Sequence, residues 1–258
     1  MSLTDMSSRD TRNPLNVNVV GFENYIELLA DPVFVRSALN TLLYVGVSVP
    51  VTLALALALA LAVNSGITRF RTVVKVGFYL PFVTSIVGIS VMWRFILAPD
   101  SGLLNEALAL FGVGGQAWLQ NEGTALPSLI FIVIWRNVGM IMIVFLAGLQ
   151  DVPHEMLEAG RIDGANAWQR FYRLTLPMLR PTTLFAAVAM SLWVWQVFEE
   201  PYVMTRGGPL DSTSSLSLYA FEEFGFGNYG SASAASYVLF VGVLAGVILL
   251  FRLLRPKT

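Results

Sequence analysis

Residues 37–68 read SALNTLLYVGVSVPVTLALALALALAVNSGIT, a run of 32 positions without Asp, Glu, Lys or Arg. A helix rises about 1.5 Å per residue and a bilayer core is about 30 Å thick, so roughly 20 apolar residues are enough to cross it. The Leu/Ala alternation at 52–62 has the period of a strand. A lone strand in lipid leaves its backbone N–H and C=O groups unpaired, whereas a helix pairs them internally. The run is therefore read as a spanning helix, centred on Val51 to Val63.

Four more stretches qualify on the same ground: Val76 to Trp93, which contains Pro81; Thr124 to Leu149, interrupted by Arg136; Thr182 to Phe198; and Ser231 to Phe251. Composition agrees with this. Of 258 residues, 55% are hydrophobic and 13% charged, with a mean hydropathy of +0.66, whereas soluble domains carry about 25% charged residues. The expected fold is an all-α, polytopic integral membrane helical bundle with five spans, organised as an extracytoplasmic segment 1–36, a transmembrane domain 37–251 and a tail 252–258.

Composition also excludes function classes. Sixteen Lys and Arg against 17 Asp and Glu give a net charge of −1, so the broad basic field that nucleic-acid binding needs is absent. Without cysteine, and with His154 as the single histidine, the chain has no thiolate chemistry and no Cys/His metal cluster. No Gly-rich phosphate loop ending in Gly-Lys-Ser/Thr occurs, so this chain is not expected to hydrolyse ATP itself. No catalytic or metal-binding residues are assigned.

Orientation follows from Lys and Arg, which short cytoplasmic loops hold in excess. Residues 64–75 carry Arg69, Arg71 and Lys75; 151–181 carry Arg161, Arg170, Arg173 and Arg180; the tail carries Arg252, Arg255 and Lys257. These face the cytoplasm. Residues 94–123 have only Arg94 and 199–230 only Arg206, so both lie outside. In residues 1–36, Arg9, Arg12 and Arg36 are offset by Asp5, Asp10, Glu23, Glu27 and Asp31, and five spans with an inside C-terminus put this segment outside. The chain then looks as though a first helix were missing.

The longest cytoplasmic loop reads PHEMLEAGRIDGANAWQRFYRLTLP over residues 153–177. Its local physics predicts helix, turn, helix. Pro153 suits a first helical position, and Glu155 and Glu158 complement the dipole of the first turns. Gly164 is placed to end that helix in a left-handed conformation. Asn166 caps a second helix, with Gln169 completing a capping box. Trp168, Phe171, Tyr172 and Thr175 share one face, and Pro177 stops the helix. An exposed aromatic face outside the bilayer suits docking in a groove on a partner protein.

Glu158-Ala159-Gly160, three residues, Gly164, nine residues and Leu174-Thr175-Leu176-Pro177 resemble the EAA loop of binding-protein-dependent ABC importer permeases. Gly160 stands where Ala is usual and Leu174 where Ile is usual; the glycine would loosen the first helix by roughly 1 kcal/mol. Further cues resemble the maltose and glycerol-phosphate branch: Gly21-Phe-Glu-Asn-Tyr25, Asp31-Pro-Val-Phe, Asn40-Thr41, Leu80-Pro81, Trp93-Arg94, Asp163-Gly164-Ala165 and Thr205-Arg-Gly-Gly-Pro209. The resemblance covers nearly the whole chain. It implies a non-catalytic subunit forming half of a pathway for a sugar or related polyol in the cell membrane. It also implies a second homologous permease subunit, two ATPase subunits carrying ATP and Mg, and an extracytoplasmic solute-binding protein. Glu158, Ala159, Gly160, Asp163, Gly164, Trp168, Phe171, Leu176 and Pro177 would contact the ATPase. The family's six-span core again implies one N-terminal helix more than the five seen here.

Trp193, Gln196 and Glu200 are spaced i, i+3 and i+7, which on one helix stacks a ring, an amide and a carboxylate on a single face. That set, with Asn137, suits a polyhydroxyl ligand in a pathway. Trp193 as an interfacial anchor, and Glu199 and Glu200 as interfacial carboxylates, are the competing readings. Arg136 either faces a cavity in mid-span or snorkels outward from a span that begins later. Gly207-Gly208-Pro209 reads as a tight external turn and nothing more, and His154 as a solvated residue. An ion-gradient-driven secondary transporter is the rival function, but it calls for inverted repeats and paired intramembrane carboxylates, and neither occurs. Reporter fusions at Gly115 and Gly160 should give opposite topology signals; identical signals would overturn this map.

Overall fold

The computed structural model describes residues 21–64 and 71–254. Asp5, Arg9, Asp10, Arg12, Arg69, Arg255 and Lys257, used above for orientation, lie outside the described residues. In chain order the helices are α1 Glu23–Ala30, α2 Pro32–Asn64, α3 Arg71–Val83, α4 Ile86–Ile96, α5 Leu103–Ala109, α6 Glu122–Gln150 and α7 His154–Ile162. There follow α8 Ala167–Arg170, a π-helical turn Phe171–Thr175, α9 Leu176–Met178, α10 Arg180–Trp195, α11 Glu199–Met204, α12 Leu216–Gly225 and α13 Tyr229–Leu254. No strand occurs among the described residues, and the fold is an all-α bundle.

Helices α2, α6 and α13 and the stretch Arg180–Met204 are each long and apolar enough to cross a membrane, and α3 with α4 supply a fifth crossing if that bent pair is one span. Two of the five expected spans differ in form from their sequence reading. Val76 to Trp93 is not one continuous helix. It breaks at residues 84–85, where Ser85 leaves helical geometry (φ −53°, ψ 124°). The fourth span starts at Arg180 and is interrupted at residues 196–198 before α11.

Burial separates the roles of the helices. The most apolar window of α6 is 61% buried inside the chain and that of α13 not at all, so α13 presents its Leu, Val and Phe side chains outward. Apolar exposure of this kind carries little cost in lipid, whose tails are as apolar as leucine. Helix α6 begins at Glu122, fourteen residues ahead of Arg136, which is partly buried within it.

The chain divides into two compact units. The first comprises the residues up to Ser48, Thr84–Val133 and Trp193–Leu244. Here Leu28, Phe34, Leu216, Tyr219, Ala234 and Ala235 form an apolar core, with the Phe34 and Tyr219 rings edge to face at 5.4 Å. The Tyr219 hydroxyl donates to Asp31 Oδ2 at 2.6 Å while Asp31 Oδ1 accepts from the Val33 N–H at 2.8 Å at the start of α2. Burial, and then that bond to Asp31, hold the Tyr219 hydroxyl well above the ordinary phenol range. Arg36 and Glu122 add an ion pair at 2.7 Å, but both are nearly half exposed and such a pair contributes little.

The second unit comprises Val49–Val83, Ile134–Leu192 and the chain from Ala245 on. Its tightest contact is backbone on backbone: a Cβ on Gly139 in α6 would run into the Phe78 carbonyl of α3. At Gly148 a Cβ would meet the Thr182 side chain of α10. Small residues that let helix backbones approach are the usual packing device in lipid. Gly139→Ala should therefore lower stability by roughly 1–3 kcal/mol, the range for overpacking. Gly46→Ala, at an open helical position, should be neutral or slightly stabilising. Thermal unfolding of both variants in detergent checks the contrast, and equal melting temperatures would refute it.

Candidate functional site

The loop 153–177 lies wholly within the second unit. Its first helix, α7, begins at His154, so Pro153 is the extended residue just before the helix (φ −60°, ψ 127°), not its first helical position. The helix ends as predicted at Gly164, whose φ is +78°. The Ala165 N–H donates to the Gly160 carbonyl at 2.9 Å and the Gly164 N–H to the Arg161 carbonyl at 3.1 Å. This pair of bonds is the Schellman arrangement. Asn166 then caps α8: its Oδ1 accepts from the Gln169 N–H at 2.8 Å, and Gln169 Oε1 accepts from the Asn166 N–H at 2.9 Å. Arg170 Nη1 donates to the Ala165 carbonyl at 2.6 Å and ties the turn to the second helix.

Beyond α8 the chain widens. Residues Phe171–Thr175 form a π-helical turn in which the Leu176 N–H reaches the Phe171 carbonyl, five residues back. The wider winding changes the predicted face. Trp168, Phe171 and Tyr172 cluster, with centroids 4.6 Å apart for Trp168 and Tyr172 and 5.1 Å for Phe171 and Tyr172. Thr175 is carried out of that register and is buried. Pro177 does not stop the segment either: it occupies the second position of α9, where a missing N–H costs nothing, and α10 begins at Arg180.

The result is a fixed scaffold with an open apolar surface. Trp168 is 68% and Tyr172 49% exposed; Glu158, Ala159, Asp163, Gly164 and Pro177 are exposed and Phe171 and Leu176 partly so. Gly160 is the exception. It is buried, and a Cβ there would approach Leu174 Cδ1 at 2.8 Å, so the glycine that looked like a loosening of α7 seats Leu174 against that helix.

The expected pathway face does not form. Trp193 lies near the end of α10, Gln196 sits in the break after it, and Glu200 belongs to α11. Trp193 and Gln196 are exposed while Glu200 is only 3% exposed. The break between positions 196 and 199 puts Trp193 and Glu200 on two different helices, so the i, i+7 relation of one continuous helix does not hold. Asn137 is buried in α6 of the second unit. Its neighbour Arg136 lies over the Phe82 ring with 5.7 Å to the centroid.

Residues 205–215 hold what the sequence reading missed. Far from being an isolated turn, they form a buried polar junction with α2 in the first unit. Asn40 Nδ2 donates to the carbonyls of Asp211 and Ser214, both at 3.0 Å. Ser37 Oγ donates to Ser214 Oγ at 3.0 Å, the Tyr44 hydroxyl to the Thr213 carbonyl at 3.3 Å, and the Leu216 N–H to Thr41 Oγ1 at 2.9 Å. Thr213 Oγ1 closes the loop on itself through the Gly208 carbonyl at 2.9 Å. Arg206, Gly207, Leu210 and Asp211 all have positive φ, and the Gly208–Pro209 peptide is cis. The available signal was the spacing of Ser37, Asn40, Thr41 and Tyr44 at i, i+3, i+4 and i+7, a polar stripe on an otherwise apolar helix.

The chain is similar to known transport proteins in both sequence and fold. The family model described as binding-protein-dependent transport system inner membrane component matches residues 29–257. The lactose transport system permease protein LacF of Rhizobium radiobacter is 35% identical over 92% of this chain and 81% of its own length. The trehalose/maltose transport system permease protein MalF of Thermococcus litoralis is 32% identical over 92% of this chain and 80% of its own. Among solved structures, a chain of a bacterial alginate ABC transporter, in complex with an alginate pentasaccharide-bound periplasmic protein, superposes with a TM-score of 0.83 at 27% identity. That match covers 91% of this chain and 83% of the other.

The junction yields its own test. Asn40→Ala leaves the buried Ser214 carbonyl without this donor, at roughly 1–3 kcal/mol, and the part-buried Asp211 carbonyl as well. The variant should melt lower in detergent and become cleavable by trypsin at Arg206, whereas Ser236→Ala, which loses only a bond to the Ala232 carbonyl within α13, should resist like the parent.

Proposed function

We propose how this chain works from one established premise: it belongs to the family of inner membrane components of binding-protein-dependent transport systems. It is a multi-pass, non-catalytic permease subunit of an ATP-driven importer. The substrate is a di- or oligosaccharide or a related polyol, a reading supported by the named substrates of its relatives, lactose and trehalose/maltose. A second permease subunit completes the pathway. A solute-binding protein delivers substrate from outside, a reading supported by the alginate pentasaccharide-bound periplasmic protein in complex with the alginate transporter. Two ATPase subunits, which carry ATP and Mg, sit against the cytoplasmic loop.

The observation that carries this reading is the loop 153–177. A helix pair whose ends are satisfied internally, yet whose Trp168 and Tyr172 rings stay exposed, is shaped to enter a partner's groove as a rigid body. When two ATPase subunits close on ATP, a rigid loop passes the displacement on, and the pathway switches between inward- and outward-facing states. Glu158, Ala159, Asp163, Gly164 and Phe171 belong to this contact surface; Gly160, Leu176 and Pro177 shape it. Trp193 and Gln196, exposed at the end of α10, are the residues of the expected pathway set that remain available to substrate.

The loop has a specific test. Gly164 is left-handed, so Gly164→Val imposes about 1–2 kcal/mol of backbone strain or re-aims the aromatic cluster. About 1.4 kcal/mol of lost docking energy is tenfold in affinity. Gly164→Val and Glu158→Lys should insert normally but bind the ATPase at least tenfold more weakly, or hydrolyse ATP without substrate uptake in reconstituted vesicles. Parental transport by both variants would show that the loop is not the coupling element.

A further inference from the structure

The first unit contains a cleft of about 550 Å³, lined by Arg94 and Phe95 of α4, Pro99 in the turn after it, Gln120 ahead of α6, and Met204 and Thr205 at the end of α11. That volume falls within the roughly 300–1,000 Å³ of small-molecule sites. Its walls are held from behind. Asn105 Nδ2 donates to the Ala98, Pro99 and Gln116 carbonyls at 3.3, 2.9 and 2.9 Å, and Asn105 Oδ1 accepts from Trp118 Nε1 at 2.8 Å. One buried amide thus clamps both the turn after α4 and the segment leading to Gln120, so the cleft is preorganised and little ordering is left for a ligand to impose.

The chemistry inside is mixed in a particular way. Arg94 is steadied by one bond, Nη1 to the Val203 carbonyl at 3.3 Å, and its remaining N–H groups have no partner among the described residues. The Gln120 side chain likewise makes no hydrogen bond among them, and the Phe95 ring is 73% exposed. Thr205 Oγ1 is already engaged with Thr213 and the Pro201 carbonyl, so it shapes the wall. No carboxylate lines the cleft. An exposed ring beside an open guanidinium and an amide matches a sugar, which offers an apolar ring face together with oxygen acceptors.

We propose that this cleft is a carbohydrate subsite of the permease, with Phe95 packing on a sugar ring and Arg94 and Gln120 binding its hydroxyl or carboxylate oxygens. It rests on the sugar-importer reading and assigns to that reading a binding place outside the Trp193/Gln196 region. The chain contains no cysteine, so Leu119→Cys, on the cleft wall, gives a unique labelling position in this subunit. In the transporter assembled with cysteine-free partner subunits, a fluorophore at that position is titrated with lactose, trehalose and an alginate trisaccharide, with ATPase stimulation measured in parallel. At least one probe should give a saturable signal. Arg94→Ala and Gln120→Ala should each raise its half-saturation by roughly tenfold, the scale of a lost bond to or from a charged or buried polar group; Arg94→Lys should recover part of the loss. A larger Arg94 effect for the acidic trisaccharide marks carboxylate recognition, and an equal effect marks hydroxyl recognition. Sugar-stimulated hydrolysis with no signal, or with half-saturation unmoved by the variants, overturns the subsite and leaves the importer reading standing. Label that attaches to the isolated chain but not to the assembled transporter shows a partner subunit filling the cleft, which also overturns it. If no probe stimulates hydrolysis, the sugar reading fails for this panel and the subsite falls with it.

Discussion

The bonds from Asn40 to the Asp211 and Ser214 carbonyls are the interaction on which the first unit depends. A chain that leaves helical geometry in a low-dielectric setting strands its backbone donors and acceptors, each at a cost of several kcal/mol. Here the helix is interrupted at residues 196–198 and again across 205–215. Side chains from one stripe of α2 supply the missing partners. Ser215 then extends the repair in both directions: its hydroxyl donates to the Val197 carbonyl at 2.6 Å in the first interruption, and its Oγ caps α12 by accepting from the Leu218 N–H at 3.2 Å. The start of α12 and the end of α10 are therefore fixed by the same polar cluster, and the Leu216 and Tyr219 core positions follow from it.

The second unit meets the same requirement by another route. Around residues 163–170 the orphan groups of two helix ends are satisfied by the loop's own backbone and by Asn166, Gln169 and Arg170. Among the described residues these bonds all lie within the loop itself. The loop is consequently able to hold its shape without a neighbour, and its aromatic cluster is left over as surface. A junction that needs α2 to exist and a loop that needs only itself suit different tasks, the first anchoring an irregular segment and the second presenting a contact face.

Charge-free runs and helix-end signals were legible because each is a local property. Residues 37–64, Gly164 and the Asn166/Gln169 box all adopt the conformation that their immediate sequence dictates. What was not legible depended on partners remote in sequence. The interruption after Trp195 has one local signal, Pro201, which cannot donate to the Val197 carbonyl four residues back; the partner that takes up that carbonyl, Ser215, lies eighteen residues on. The π-helical turn after Arg170 carries no local signal, and it removes Thr175 from the aromatic face. In sequence Gly160 looks like a loosening of α7 because its neighbour Leu174 is fourteen residues away, and only packing reveals that the space beside it is filled.

Arg136 joins these themes. Phe78 and Phe82 lie four residues apart on α3, and Arg136 and Gly139 three apart on α6, so each pair occupies one face of its helix. The contact that Gly139 permits with the Phe78 backbone brings Phe82 beneath the guanidinium. A cation over an aromatic ring contributes about 2 kcal/mol when desolvated, against about 2.5–3.5 kcal/mol for placing an arginine at the centre of a spanning helix. The ring offsets much of that cost and not all of it, and the Arg136 Nε has no hydrogen-bond partner among the described residues. A leucine at this position would remove the deficit outright. Arg136 is therefore held by the packing of α3 on α6, and the glycine that admits the Phe78 backbone also sets the Phe82 ring against the charge.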